Sequence, residues 1–178
     1  GVTRIFTTNK NKPGIQMNSD VSVKSYFLEP LDTYSLNLNC SAQTGKNTFL
    51  NAGASGVFAK NGFRDNNSVA DGNALAGFTH YFGSGNSFSV ADNFYISDKN
   101  ISGPLYSTEI SKQNDLNNSL ILGLSFPSLF DCLKTDIHAG WKMNEMKYRT
   151  VSSDAENSRH LINSISFDSA FVYNKNDS

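Results

Sequence analysis

The sequence predicts an all-β fold, an antiparallel up-and-down β-barrel of about eight to ten strands, and three observations carry that expectation. Apolar and polar side chains alternate with period two along most of the chain. Gly, Pro, Asn and Asp interrupt the alternation at hairpin spacing, and no segment carries a helical repeat. Composition agrees: Asn (22) and Ser (24) make up about a quarter of the 178 residues, against 17% charged ones. Both residue types compete for helical backbone bonds and so favour turns and strands. The length suits one domain, taken as 1–178 or as a portion of a larger barrel.

The first strand is expected over 15–27, where Ile15, Met17, Ser19, Val21, Val23, Ser25 and Phe27 alternate with Gln16, Asn18, Asp20, Ser22, Lys24 and Tyr26. Next, Tyr34, Leu36, Leu38, Cys40 and Ala42 alternate with Ser35, Asn37, Asn39, Ser41 and Gln43. Weaker alternation marks 48–59, 73–82, 87–97, 104–112 and 118–126. Two clear strands close the series: Ile137, Ala139, Trp141 and Met143 against Asp136, His138, Gly140, Lys142 and Asn144, then Ile165, Phe167, Phe171 and Tyr173 against Ser164, Ser166, Asp168 and Ala170. Turn residues separate them at Lys12-Pro13-Gly14, Glu29-Pro30-Leu31-Asp32, Thr44-Gly45-Lys46-Asn47, Gly83-Ser84-Gly85-Asn86 and Ser102-Gly103-Pro104. These connections are too short for crossover helices, so neighbouring strands run antiparallel. Two longer polar stretches, 60–72 and 149–159, are expected as surface loops, with Asn61, Arg64, Asp65, Asp154, Glu156 and Arg159 as their candidate contact residues.

An open meander exposes two edges, which closure into a barrel or folding into two packed sheets would remove. The two solutions differ in where the apolar face points: inward in a sandwich, outward to lipid in a transmembrane barrel. Three features favour lipid. The polar faces hold Asn, Ser, Gln and Thr rather than dense Lys and Glu. Several alternating runs reach the roughly 9 to 11 residues that a tilted strand needs to cross a bilayer. Aromatics are expected near strand ends, at Tyr26, Phe27, Tyr34, Phe58, Tyr81, Phe82, Phe94, Tyr95, Phe126, Tyr148, Phe171 and Tyr173, where interfacial girdles lie.

In segments 15–27, 34–43, 49–59, 73–82, 118–126, 136–143 and 163–173 the pattern resembles the small outer-membrane β-barrel proteins. Two departures stand beside that resemblance: Phe171-Val172-Tyr173 is followed by the polar Asn174-Lys175-Asn176-Asp177-Ser178, and stretches of similar length near 98–103 and 113–118 break the alternation of short and long connections. On this reading Leu36, Leu38, Leu122, Leu124, Ile137, Trp141, Phe167 and Phe171 face lipid, while Asp136, His138, Lys142 and Asp168 face the lumen. The resemblance implies an outer-membrane location, bacterial or organellar, and a partnership with the bilayer. A barrel of eight to ten strands is narrow enough for side chains to fill. Function is therefore expected in loops 60–72 and 149–159, as a structural, docking or surface-interaction element. A porin-like small-solute channel is the alternative within this class, and a secreted or particle-surface β-sandwich, adhesin or capsid-like, is the alternative outside it.

Other chemistry is sparse. A net charge of -1 supplies no attraction to phosphate backbones, so no nucleic-acid partner is expected. No apolar run approaches the roughly 18 residues of a membrane-spanning helix, and Gly1-Val2-Thr3-Arg4 does not read as a signal peptide. His80, His138 and His160 lie on separate segments without Cys or carboxylate at ligand spacing, so neither a metal nor a cofactor is expected. Asp154, Ser158 and His160 have the residue types of a hydrolytic triad, but nothing beyond type supports an enzyme. Cys40 and Cys132 are expected as free thiols.

Overall fold

Alternation is realised as strands, and the strands all join one sheet. The computed structural model describes residues 14–25, 31–61, 67–102, 110–129, 132–150 and 157–173. Eight strands follow in chain order: β1 (Ile15–Ser25), β2 (Leu31–Gln43), β3 (Thr48–Asn61), β4 (Ser68–Tyr81), β5 (Ser87–Ser102), β6 (Ile110–Leu129), β7 (Leu133–Thr150) and β8 (Asn157–Tyr173). Each pairs antiparallel with its sequence neighbours, in the spatial order β1 to β8. The sheet is open, with β1 and β8 as its edges. Among the described residues the only helical turn is Gly83–Gly85.

The count of eight lies within the expected eight to ten, and one expected element is corrected. The expected strand 104–112 is not separate from 118–126: pairing runs without interruption from Ser102↔Ile110 to Ser87↔Ser125, so one strand, β6, covers 110–129. Residues 98–102 and 113–118, taken as connections, lie inside β5 and β6. With them absorbed, connections 26–30, 62–67, 103–109 and 151–156 fall at one end of the sheet and 44–47, 82–86 and 130–132 at the other. The first set spans five to seven residues and the second three to five, which restores the alternation of longer and shorter connections.

The shorter turns have identifiable causes. Gly45 at φ 107° lets Thr44 N–H donate back to the Thr48 carbonyl at 2.9 Å. Ser84 and Gly85, at φ 69° and 79°, carry the chain from β4 to β5, where Phe82 N–H donates to the Asn86 carbonyl. Near the third turn β6 bulges between Phe126 and Leu129. Pro127 sits in that bulge, where its missing N–H costs no ladder bond.

Candidate functional site

Because antiparallel partners share a face, the register sorts every described strand residue onto one of two surfaces. One row reads Ile15, Ala42, Leu50, Phe78, Val90, Leu122, Ala139 and Phe167 from β1 to β8. The next reads Met17, Cys40, Ala52, Ala76, Asp92, Leu120, Trp141 and Ile165. All eight residues expected to face lipid fall on this apolar surface: Leu36 and Leu38 on β2, Leu122 and Leu124 on β6, Ile137 and Trp141 on β7, Phe167 and Phe171 on β8. It is open to its surroundings. Ile165 is 85% exposed, Phe167 72% and Phe171 61%, and no hydrophobic side chain is buried among the described residues. Eighteen of the twenty-five large apolar side chains that stand exposed belong to this face. An apolar surface of this extent has nothing in the described residues to cover it, because all the described strands join one sheet.

Along each strand the apolar run has a bounded length. On β2 it spans Tyr34 to Ala42, on β3 Leu50 to Phe58 and on β5 Phe88 to Ile96. Nine residues at about 3.3 Å each match a tilted crossing of a bilayer core. Tyr34 and Phe58 meet at 6.3 Å at one border, and Phe78 and Phe88 at 6.3 Å toward the other. Phe94 and Tyr95, expected at a strand end, instead stand in the middle of β5 because that strand continues to Ser102. Polar exceptions interrupt the band at Ser19, Asn118, Asn163, Ser169 and Asp92, the last flanked by Ala76 and Leu120.

The opposite face is mainly polar and hydrogen-bonded within itself, with Val57, Leu75, Ile121, Met146, Ile162 and Val172 as its exposed apolar members. Asp136 accepts from Ser125 Oγ at 2.6 Å and lies 3.3 Å from Lys134 Nζ. His138 stands opposite Asp168 on β8 and Gly123 on β6, while Lys142 stands between Ser119 and Ser164. The four residues expected in a lumen, Asp136, His138, Lys142 and Asp168, therefore share this surface. Sequence reasoning missed a denser group toward the longer connections. Asp71 accepts from Tyr95 and Ser97 hydroxyls; Lys99 donates to Asp115 at 2.7 Å, which also accepts from Gln113; Tyr148 donates to Ser111 at 2.8 Å. Continuing the even–odd alternation through 97–102 and 110–117 would have found it. Ser97 and Ser111 are only 4% and 8% exposed here, and along β2 Ser35, Asn37 and Asn39 are half-buried where Tyr34, Leu36 and Leu38 are exposed, which makes this the more enclosed side, although Thr135, at 3%, lies on the apolar face. Small residues create the room: the space beside Gly77 is filled by the Asn51 side chain, and that beside Gly140 by Ser166 Oγ.

The loop expectations need correction. Asn61 ends β3 and Arg159 lies in β8, so the connections are 62–67 and 151–156, shorter than 60–72 and 149–159. Strand pairing with Val69 to Gly72 and with Lys147 and Arg149 takes up the rest. Arg64, Asp65, Asp154 and Glu156 lie outside the described residues. Ser158 and His160 share the polar face of β8, and no cluster of metal-binding side chains occurs among the described residues. Cys40 and Cys132 are free.

No family model, curated protein or solved structure matches the chain.

Proposed function

We propose that the eight-stranded sheet closes by pairing β8 with β1 and serves as an outer-membrane β-barrel, acting through its longer connections as a docking or surface-interaction element. The observation that carries this reading is the inverted polarity of the sheet: large apolar side chains stand exposed on one face, while hydrogen-bonded polar side chains occupy the more enclosed one. In water such an arrangement forfeits the burial of every exposed Leu, Ile and Phe, at about 25 cal/mol per Å² of apolar surface. In lipid the same face is matched to its solvent, and backbone groups at the two edges must pair. An even number of antiparallel strands permits that closure, since β1 and β8 run in opposite directions and carry the apolar surface on the same side.

Eight strands enclose a lumen that side chains fill, which favours a docking or structural role over a wide pore. The test uses Trp141, the single tryptophan, on the apolar face of β7. After refolding into phosphatidylcholine vesicles, its emission is expected to shift to the blue and to be quenched by lipids brominated in the acyl chains, and the folded band is expected to change mobility on heating. A chain that stays monodisperse without detergent, with Trp141 unquenched, overturns the reading and leaves an apolar face covered by a partner sheet.

A further inference from the structure

Above the apolar band, on the same face and toward the longer connections, charge accumulates in one place. The border row crosses Ile96, Leu116, Glu145 and Leu161 on β5 to β8. The row beyond it reads Asp98, Asn114, Lys147 and Arg159, and the next pairs Asn100 with Lys112 and Lys112 with Arg149. Two cation pairs thus stand directly opposite each other, Lys147 against Arg159 and Lys112 against Arg149, an arrangement that is destabilising in a bare sheet. Glu145 relieves the first pair, lying 3.2 Å from Lys147 Nζ and accepting from Arg159 Nε. Among the described residues no ion pair relieves Lys112 or Arg149. With Asp98 counted, the patch holds four cations against two carboxylates.

Two adjoining grooves give this patch the shape of an amphiphile. One, of about 520 Å³, is lined by Lys112, Asn114, Lys147, Arg149 and Arg159, together with Asp98. The other, of about 440 Å³, runs toward the apolar band past Ala70, Gly72, Ile96 and Leu116, with Asp71, Asp115 and Glu145 also in its wall, and the two share Asp98, Asn114 and Lys147. The absence of a side chain at Gly72 keeps the second groove open, since a Cβ there would lie 3.2 Å from the Ile96 side chain.

We propose that this surface binds the phosphate headgroup of an anionic lipid, with the acyl chain along Gly72, Ile96 and Leu116 and the phosphate between Lys112 and Arg149. The excess positive charge selects an anion, and its place within two rows of the border of an apolar band selects an anion that carries a lipid tail. The inference rests on the membrane reading above. Full-length chain is first inserted into phosphatidylcholine vesicles, then extracted in a neutral detergent, and retention of phosphatidic acid, phosphatidylcholine or inorganic phosphate is counted by native mass spectrometry.

Phosphatidic acid is expected to stay bound in preference to phosphatidylcholine. The double variant Lys112→Gln/Arg149→Gln is expected to weaken it about 30-fold, roughly fivefold for each cation removed, while Lys46→Gln in the 44–47 turn leaves it unchanged. Equal retention of phosphatidylcholine, or wild-type binding by the double variant, overturns the proposal. Inorganic phosphate competing as well as the lipid assigns the patch to a free anion and overturns the lipid assignment. If the double variant fails to fold, judged by gel mobility, added salt must still release phosphatidic acid from the wild type, and salt-insensitive retention refutes the site. Failure to insert into phosphatidylcholine refutes the membrane reading itself, whereas insertion without headgroup preference refutes this inference alone.

Discussion

Adjacent residues on one strand offer the sharpest comparison, because they point to opposite faces. Ala139 on β7 sits between Leu122 and Phe167 on the apolar surface, near the middle of a run that begins at Thr135 and ends at Glu145. His138, its neighbour, sits on the polar surface opposite Asp168 and Gly123. Arginine at a bilayer midplane costs about 2–4 kcal/mol. Ala139→Arg is therefore expected to lower the folding equilibrium constant in vesicles by about 30- to 900-fold. His138→Arg places its guanidinium opposite the Asp168 carboxylate, starting from the space over Gly123 that the His138 ring shares with Ser89 Oγ, and should change stability by less than about 1 kcal/mol. Reversible urea titration of the vesicle-bound protein, followed by Trp141 emission and by mobility on unheated gels, measures both. A penalty for His138→Arg equal to or larger than that for Ala139→Arg would refute the assignment of faces and put the apolar surface inside.

Three other outcomes follow from the same geometry. Asp92 carries a carboxylate into the apolar band between Ala76 and Leu120, so Asp92→Leu should stabilise the vesicle-bound form by about 1–2 kcal/mol; a loss of stability in the same titration would show that this position meets water or a polar partner. Cys40 lies in the row of Asp92 and Trp141, whereas Cys132 lies in the turn between β6 and β7, so a membrane-impermeant maleimide should label Cys132 and spare Cys40 until the vesicles are dissolved. Replacing 62–67 or 151–156 by four-residue turns should leave strand content and gel mobility unchanged while reducing partner binding, because neither connection supplies a strand to the sheet; unchanged binding with altered single-channel current would transfer function to the lumen residues Asp136, Lys142 and Asp168.

Face membership was legible residue by residue, for a physical reason: a strand repeats every two residues, so parity within an unbroken run decides the side. Leu36 and Leu38, or Ile137 and Trp141, could be grouped without knowing what they pair with. Parity loses its power where runs join. Alternation through 104–126 weakens at Gln113 to Ser119, where Asn and Asp occupy both faces, and the extra strand entered there. The bond ladder of β5 with β6 resolves it, since sixteen consecutive pairs leave no residue for a turn. Loop limits failed similarly. Asn61 and Arg159 are polar, as loop residues are, but backbone pairing depends on N–H and C=O groups that every residue except proline carries.

By itself, then, the sequence determined the all-β class, the antiparallel order and the composition of the two faces, all of which follow from local periodicity and short turns, whereas the sheet observed is open and not the closed barrel it predicts. The tertiary structure alone decided the number of strands and their union in one sheet, and thereby that among the described residues no second layer covers Leu122, Ile165 or Phe167. It also decided which distant residues meet. Lys112, Arg149 and Arg159 are separated by up to 47 positions and become neighbours only through the registers of β6, β7 and β8. Registers are set by cooperative pairing across whole strands, and no single segment contains that information.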